Sequence, residues 1–490
     1  MTYLCTIVSP ETPAQNDRNR QCGTISHSEL AMLPDDLQAH ARTVAHLATY
    51  FDELKQAAVR LREQAGVRER GFFSPSEDEA ARQLLVSYWM ARAALFDVAI
   101  GYRDAAEIPP ALRPTRFLIA YTAAILLVDA ARFLREQYHD RPIVRAKLNE
   151  GDLNFGIPAE SYDTVQRSLT SPIHLWHLYH AVRYHEEHAD ELRSLAADPL
   201  LALLVDVLDR LGDRLHVSVL DFATARIRAR TRQASNVVRR SLVDRALYGL
   251  QKVACLMVTD KFTRLGHQPG IPAPVAAELR ALLRPGDVIV NRKEFALTNY
   301  FLPGYWPHAA LYLGQSGELE RMGLDQHVEM KPRWRRLLDL DQAEPRRVLE
   351  AMKDGVWLRS LANPFRADAV AIVRPKLSAD DISHAIGRGL LHEGKPYDFD
   401  FDFTRSDRLV CTEVVYRSYD GIGGMQFPLV RRAGRLTIAA EDILAMALNR
   451  HQFEPIAVFA PGREPQLLRG AEGDAVLRAT LGTECRNPKS

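Results

Sequence analysis

The chain has 490 residues, of which 47% are hydrophobic, 26% charged and 8% aromatic. That length exceeds one ordinary core and suggests roughly two to four domains, while the composition excludes wholesale disorder and a fibrous repeat. Lys+Arg and Asp+Glu number 63 and 62, so a formal net charge of +1 gives no global pull toward nucleic acid or a membrane surface, and any such site would be a local patch.

Met1 to Val8 has no basic flank and its short apolar stretch is broken by threonines, which does not read as an export signal. Twin-arginine and lipidation signals are absent as well. Val44, Leu47, Phe51, Leu54, Ala58 and Leu61 alternate gaps of 3 and 4, the seam of a helix packed on other helices. Ser74-Pro75-Ser76-Glu77 offers an N-cap, a proline at the first helical position and a reciprocal glutamate, so a helix is predicted from there to about Gly101. Further helices are predicted near 115–138, 172–194, 198–232 and 236–264. The run Phe117 to Val128 is shorter than the roughly 20 residues of a spanning helix and reads as a buried one.

Gly266 to Pro274 has linker composition and marks a change of character. Beyond it, strand-like segments at 287–291, 308–313, 348–352, 369–374 and 455–459 interleave with helices at about 378–391, 411–420 and 438–449, with Ser378 and Asp381 as a capping pair. The polar, glycine-containing stretch after Pro461 reads as a loosely ordered tail.

The five cysteines are Cys5, Cys22, Cys255, Cys411 and Cys485. No pair has CxxC spacing, which excludes a zinc ribbon or thioredoxin motif, and so few thiols fit a reduced, cytoplasmic protein. Cys411 opens CTEVVYRSY, an amphipathic helix. At a helix start the dipole favours the thiolate, although a lone cysteine is more often a buried structural residue. His308 opens the strand HAALYLG, where Ala309 and Ala310 leave room for a neighbouring group. Glu350, in the strand VLEAM, has a surface position as its bland reading. On an adjacent strand it would orient the imidazole.

Taken in order, RPGDVIV (284–290), PHAALYLG (307–314), VLEA (348–351) and GKPYDFDFDFTRSDRLVCTEVVYRSY (394–419) resemble the permuted papain-like cysteine hydrolases of the YiiX/YebB type, within the NlpC superfamily. His308 precedes Cys411, the reverse of ordinary NlpC-type order and the order of the permuted group. The resemblance covers about 280–460. It implies Cys411 as nucleophile, His308 as base, Glu350 as the orienting third residue, and Tyr397 of the GxPY motif as a residue lining the site. The cysteine motif reads CTE where many relatives read CSE. Chemically, the Cys411 backbone N–H and the Tyr397 hydroxyl are natural donors to an oxyanion.

Other signals carry less. His174, His177, His180, His185 and His188 cluster, but HEEH lacks the spacing of HExxH and the first three drift around a helix, so no metal site is expected. Asp398, Asp400 and Asp402 alternate with aromatics and fail the calcium-loop pattern. They read as an extended segment with an aromatic inner face and an acidic outer one. Arg226 to Arg240 contains six arginines and no acid. Its default reading is a pairing face between helices, the alternative a contact to phosphate or an anionic lipid.

The expected architecture is therefore α+β: an all-helical domain over 30–265, a linker at 266–274, a circularly permuted papain-like (NlpC-type) domain over 275–460, and a tail over 461–490. The residues after the linker should complete their own core, with few contacts across it. The expected activity is cleavage of an amide, or an ester or thioester, in a small-molecule, peptide or lipid acyl substrate, with no cofactor and no nucleic acid. The alternatives are a lipid acyltransferase or thioesterase of the same permuted fold, and a binding module without catalysis.

Overall fold

A computed structural model describes residues 33–101, 109–152, 157–169, 181–212, 269–294, 304–328, 330–432, 435–460 and 466–481. The later part of the predicted 198–232 helix, the 236–264 helix, the Arg226–Arg240 stretch, and His174, His177 and His180 lie outside these residues.

The first half is helical. α1 (Asp35–Gln64), α2 (Pro75–Gly101), α3 (Arg113–Tyr138) and α4 (Pro199–Leu211) pack on one another. The predicted α2 cap forms: Ser74 N–H donates to Glu77 Oε2 at 2.8 Å and Glu77 N–H to Ser74 Oγ at 3.4 Å. Phe117 to Val128 is buried all round, which makes α3 the central helix of this half. By length and composition alone α3 could cross a membrane, but 83% of its most apolar window is buried in the protein.

The second half carries a six-stranded antiparallel sheet built from β1 (Val288–Arg292), β2 (His308–Gly314), β3 (Arg347–Met352), β4 (Gly355–Ser360), β5 (Ala369–Pro375) and β8 (Phe453–Phe459), while a separate hairpin joins β6 (Val430–Arg432) to β7 (Arg435–Thr437). The strand order in the sheet is β4-β3-β2-β1-β5-β8. One sheet face, with Ile289, Ala310, Tyr312, Val348 and Ile372, packs with the buried residues of α5 (Ala273–Leu282). On the other face α7 (Cys411–Tyr419) lies against β2 and β3, backed by α6 (Ala379–Leu390), while α8 (Ala440–Leu448) packs on β8. The α+β class, with helices first and the sheet after, matches the reading from sequence.

Four details differ from that reading. The β6–β7 hairpin and β4 were not foreseen. β4 follows β3 through a two-residue turn, Lys353-Asp354, closed by Gly355 at φ +104°, where a Cβ would collide with the Lys395 carbonyl. The tail contains α9 (Gly470–Thr480), which packs on β8 and buries Val476 and Leu477. Its Thr480 Oγ1 accepts from Trp306 Nε1 at 2.9 Å, two residues before His308.

The Asp398–Phe403 stretch is a turn, with Asp398 directed inward. Asp398 is fully buried and accepts from the N–H groups of Asp400 and Asp402 at 2.9 and 2.7 Å. Finally, several side-chain contacts join the two halves. Tyr50 and Ser87 donate to Asp400 Oδ1 at 2.6 and 2.7 Å, Arg408 pairs with Glu53 at 3.0 Å, and His46 and Tyr50 pack on Phe399 with ring centroids 5.8 and 5.5 Å apart.

Candidate active site

The site forms where β2 begins. His308 and Glu350 lie on adjacent strands paired with Leu311 opposite Leu349, so alternation turns both toward the face that carries Ala310. Alanine at 310 leaves the space that the two polar groups occupy. Cys411 comes from the other layer, at the first turn of α7, whose Val414 and Val415 anchor the helix in the core.

His308 Nε2 sits 2.8 Å from Glu350 Oε2. Glu350 is fully buried, and its second oxygen accepts from Asn363 Nδ2 with Arg359 Nε 3.6 Å away. Burial alone would raise this carboxyl. His308, Arg359 and Asn363 together bring it down to about 2. A group that is a carboxylate can only accept, so Nε2 carries a proton, and Nδ1 is the nitrogen left for the Cys411 sulfur, which lies close enough to favour the charged ring.

Burial opposes charge on His308, but the sulfur and Glu350 outweigh it and push the imidazole up to about 9. Burial likewise opposes the thiolate. His308 and the N–H groups of Ala309 and Thr412 more than compensate, and hold the thiol below its ordinary value. The Pro307 carbonyl lies 3.9 Å from Sγ. The imidazole thus favours the charged form of the thiol, and the carboxylate that of the imidazole.

Tyr397 borders this pair. Its phenol lies well above its ordinary range through burial, with the nearby Cys411 and Asp398 adding to the shift. Its ring packs edge-on against Phe399, 5.0 Å between centroids, and its backbone bridges Leu409, two residues before the cysteine. The His46 ring nitrogen Nε2 is 3.0 Å from the Tyr397 carbonyl, so a helix of the first half holds one wall of the site. Behind that wall, burial and Asp400 push Asp398 up to about 7, and burial pushes Glu413 up to about 8 against the pull of Arg417. All four site residues named from the sequence thus converge.

The sequence reading did not find Asn363, Arg359 or the two backbone amides. Arg359 sits on the unforeseen strand β4, and its Asp354-Gly355 turn was the available signal. Asn363 lies in the short helix 362–365, where nothing marks it out locally. Of the histidine cluster, His185 and His188 are described. His188 stacks on Tyr184 at 4.0 Å and His185 lies 5.1 Å from Tyr121, so both serve as ring-packing partners. Among the described residues, no group of three His, Cys, Asp or Glu side chains is placed to hold a metal ion.

Residues 282–464 match the family model of the permuted papain-like amidase enzymes, YaeF/YiiX, C92 family. The match spans the whole sheet, α6 to α8, and each residue of the Cys411 cluster. It supports the permuted papain-like fold for this region and, at the level of the family, an amidase. The helical half lies outside it. Comparison with curated proteins and with solved structures returned no match.

Proposed function

We propose that the 282–464 region is a cysteine hydrolase acting through Cys411, His308 and Glu350. The observation that carries this is the contiguous line of sulfur, imidazole and carboxylate, in which each neighbour shifts the next toward its charged form. The Cys411 thiolate attacks the acyl carbon of an amide, ester or thioester. The tetrahedral oxyanion is met by the Cys411 N–H at the start of α7 and by the Tyr397 hydroxyl. His308 delivers its Nδ1 proton to the leaving nitrogen, oxygen or sulfur, and a thioacyl-enzyme forms. His308, now neutral, takes a proton from water, which hydrolyses the thioester and restores the ion pair. Glu350 holds the ring in the required tautomer throughout, and Asn363 and Arg359 hold Glu350.

The completeness of this set favours catalysis over a binding module. The substrate class is an acyl compound of small-molecule, peptide or lipid type. The test is turnover of matched amide, ester and thioester substrates, with intact-mass detection of an acyl adduct after rapid acid quench. An adduct that maps to Cys411 and is lost in Cys411→Ala supports the proposal. Turnover retained in Cys411→Ala overturns it.

A further inference from the structure

The seam on α1 does not stay packed along its whole length. Val44, Leu47, Phe51 and Leu54 are buried in the core, whereas Ala58 and Leu61 face a cavity of about 570 Å³ enclosed by α1, α2, α3 and the 142–148 helix. This volume lies within the roughly 300–1,000 Å³ typical of small-molecule sites. Its inner wall is apolar, with Phe51, Leu54, Leu84, Leu85, Phe133 and Leu134. Alanines on three helices, Ala58, Ala81 and Ala130, keep the space open. Such a lining gives water few partners, so an apolar occupant is favoured over solvent.

The lining follows α1 from Phe51 to Ala65, about 20 Å at the helical rise, a length that matches an extended long alkyl chain.

The solvent end is marked by exposed lining residues, among them Arg68, Arg141 and Ile143. The cations deeper in the wall are already paired: Lys55 with Asp129, and Lys147 with Asp78 and Glu150. Arg62 is held by Gln137 and Glu63. Arg68 and Arg141 have no carboxylate partner among the described residues. The acid in the lining is Asp140, which pairs with neither of them.

We infer that this cavity is a binding site for a single-chain amphiphile with an anionic head, of the long-chain fatty-acid type. Its alkyl chain would lie along the α1 seam and its carboxylate would meet Arg68 and Arg141. No lining residue belongs to 282–464, so this site is separate from the Cys411 site. The inference therefore stands or falls independently of the hydrolase proposal.

The test uses the full chain and 11-(dansylamino)undecanoic acid below its micelle concentration. Saturable fluorescence enhancement, displaced by palmitate and unchanged after alkylation of Cys411, is expected. Ala58→Trp and Ala81→Trp should each remove probe binding while leaving the thermal melt cooperative. The double variant Arg68→Gln/Arg141→Gln should weaken palmitate by about tenfold and leave hexadecanol unaffected. Absence of saturable binding to the wild-type chain, or binding undiminished in both cavity-filling variants, overturns the site. Displacement by palmitate and hexadecanol alike, with no effect of the arginine substitutions, overturns the anionic head. Loss of binding on alkylation would move the probe to the Cys411 cleft and equally overturn the inference.

Discussion

Arg42, on α1, lies 3.2 Å from the Asp354 carboxylate, and Asp354 in turn holds Arg359, the guanidinium beside Glu350. A helix outside the family-matched region thus ends a chain of charges that begins at Cys411. With His46 on the Tyr397 carbonyl and Tyr50 on Asp400, the helical half is part of the scaffold that shapes the site.

A fragment of residues 276–490 would keep the sheet and lose these contacts. It is expected to be poorly soluble or to melt without cooperativity, because Phe399 and the buried polar turn behind it would face water. Expression of the fragment and a thermal scan check this. A soluble fragment with the cooperative melt of the full chain would show that the interface contributes little.

Asp400 accepts from Tyr50 and Ser87 and lies 3.7 Å from the Arg435 guanidinium. Asp400→Ala leaves two hydroxyls at the interface without their acceptor. We expect a loss of about 2–3 kcal/mol of stability, seen as a lower denaturant midpoint with an unchanged slope. A change within about 0.5 kcal/mol would mean that water replaces the carboxylate.

The pair of shifts at the site fixes the pH profile of turnover. Cys411 lies below its ordinary value, so the acid limb falls below that of a free thiol. His308 lies at about 9, so activity is lost as pH rises through that value. Glu350→Gln removes the negative charge that favours the imidazolium, and the alkaline limb should move to lower pH. An alkaline limb that stays in place would remove Glu350 from its assigned role.

His308→Ala should reduce turnover by about 10³-fold or more, since it removes both the proton donor and the partner of the thiolate. Glu350→Gln should cost less, on the order of 10–10², because an amide oxygen can still accept from Nε2. Parallel rate measurements on the two purified variants decide this, provided both melt as the parent does. Full activity in either one would contradict the mechanism.

Much of the site was legible because its parts are marked locally. Cys411 starts an amphipathic helix, His308 opens a strand, and their order in the chain carries the permutation. The supporting residues were not legible for a physical reason. Asn363 and Arg359 matter only through the buried carboxylate that they reach across strands, and no local periodicity reports that. Asp398 misled for a related reason. Alternation with aromatics suggested an exposed acid, whereas backbone N–H groups of its own turn satisfy it inside the protein. The helix at 470–480 was hidden by polar composition, since Val476 and Leu477 are its large buried apolar side chains and Thr480 joins it to Trp306 through a single hydrogen bond. The contacts between the halves depend on single polar residues of α1 and α2 that read as ordinary surface positions.

The central claim is that Cys411 is held as a thiolate by His308. The rate of alkylation by iodoacetamide at Cys411, followed by peptide mapping from pH 5 to 10 in the parent and in His308→Ala, tests it most directly. We predict that Cys411 reacts ahead of the other cysteines at neutral pH, with a midpoint below that of a free thiol, about 8.5. We further predict that His308→Ala moves this midpoint up to or above that of a free thiol. A Cys411 that stays inert in the folded protein while Cys5 or Cys485 is labelled, or a midpoint indifferent to His308, would contradict the account.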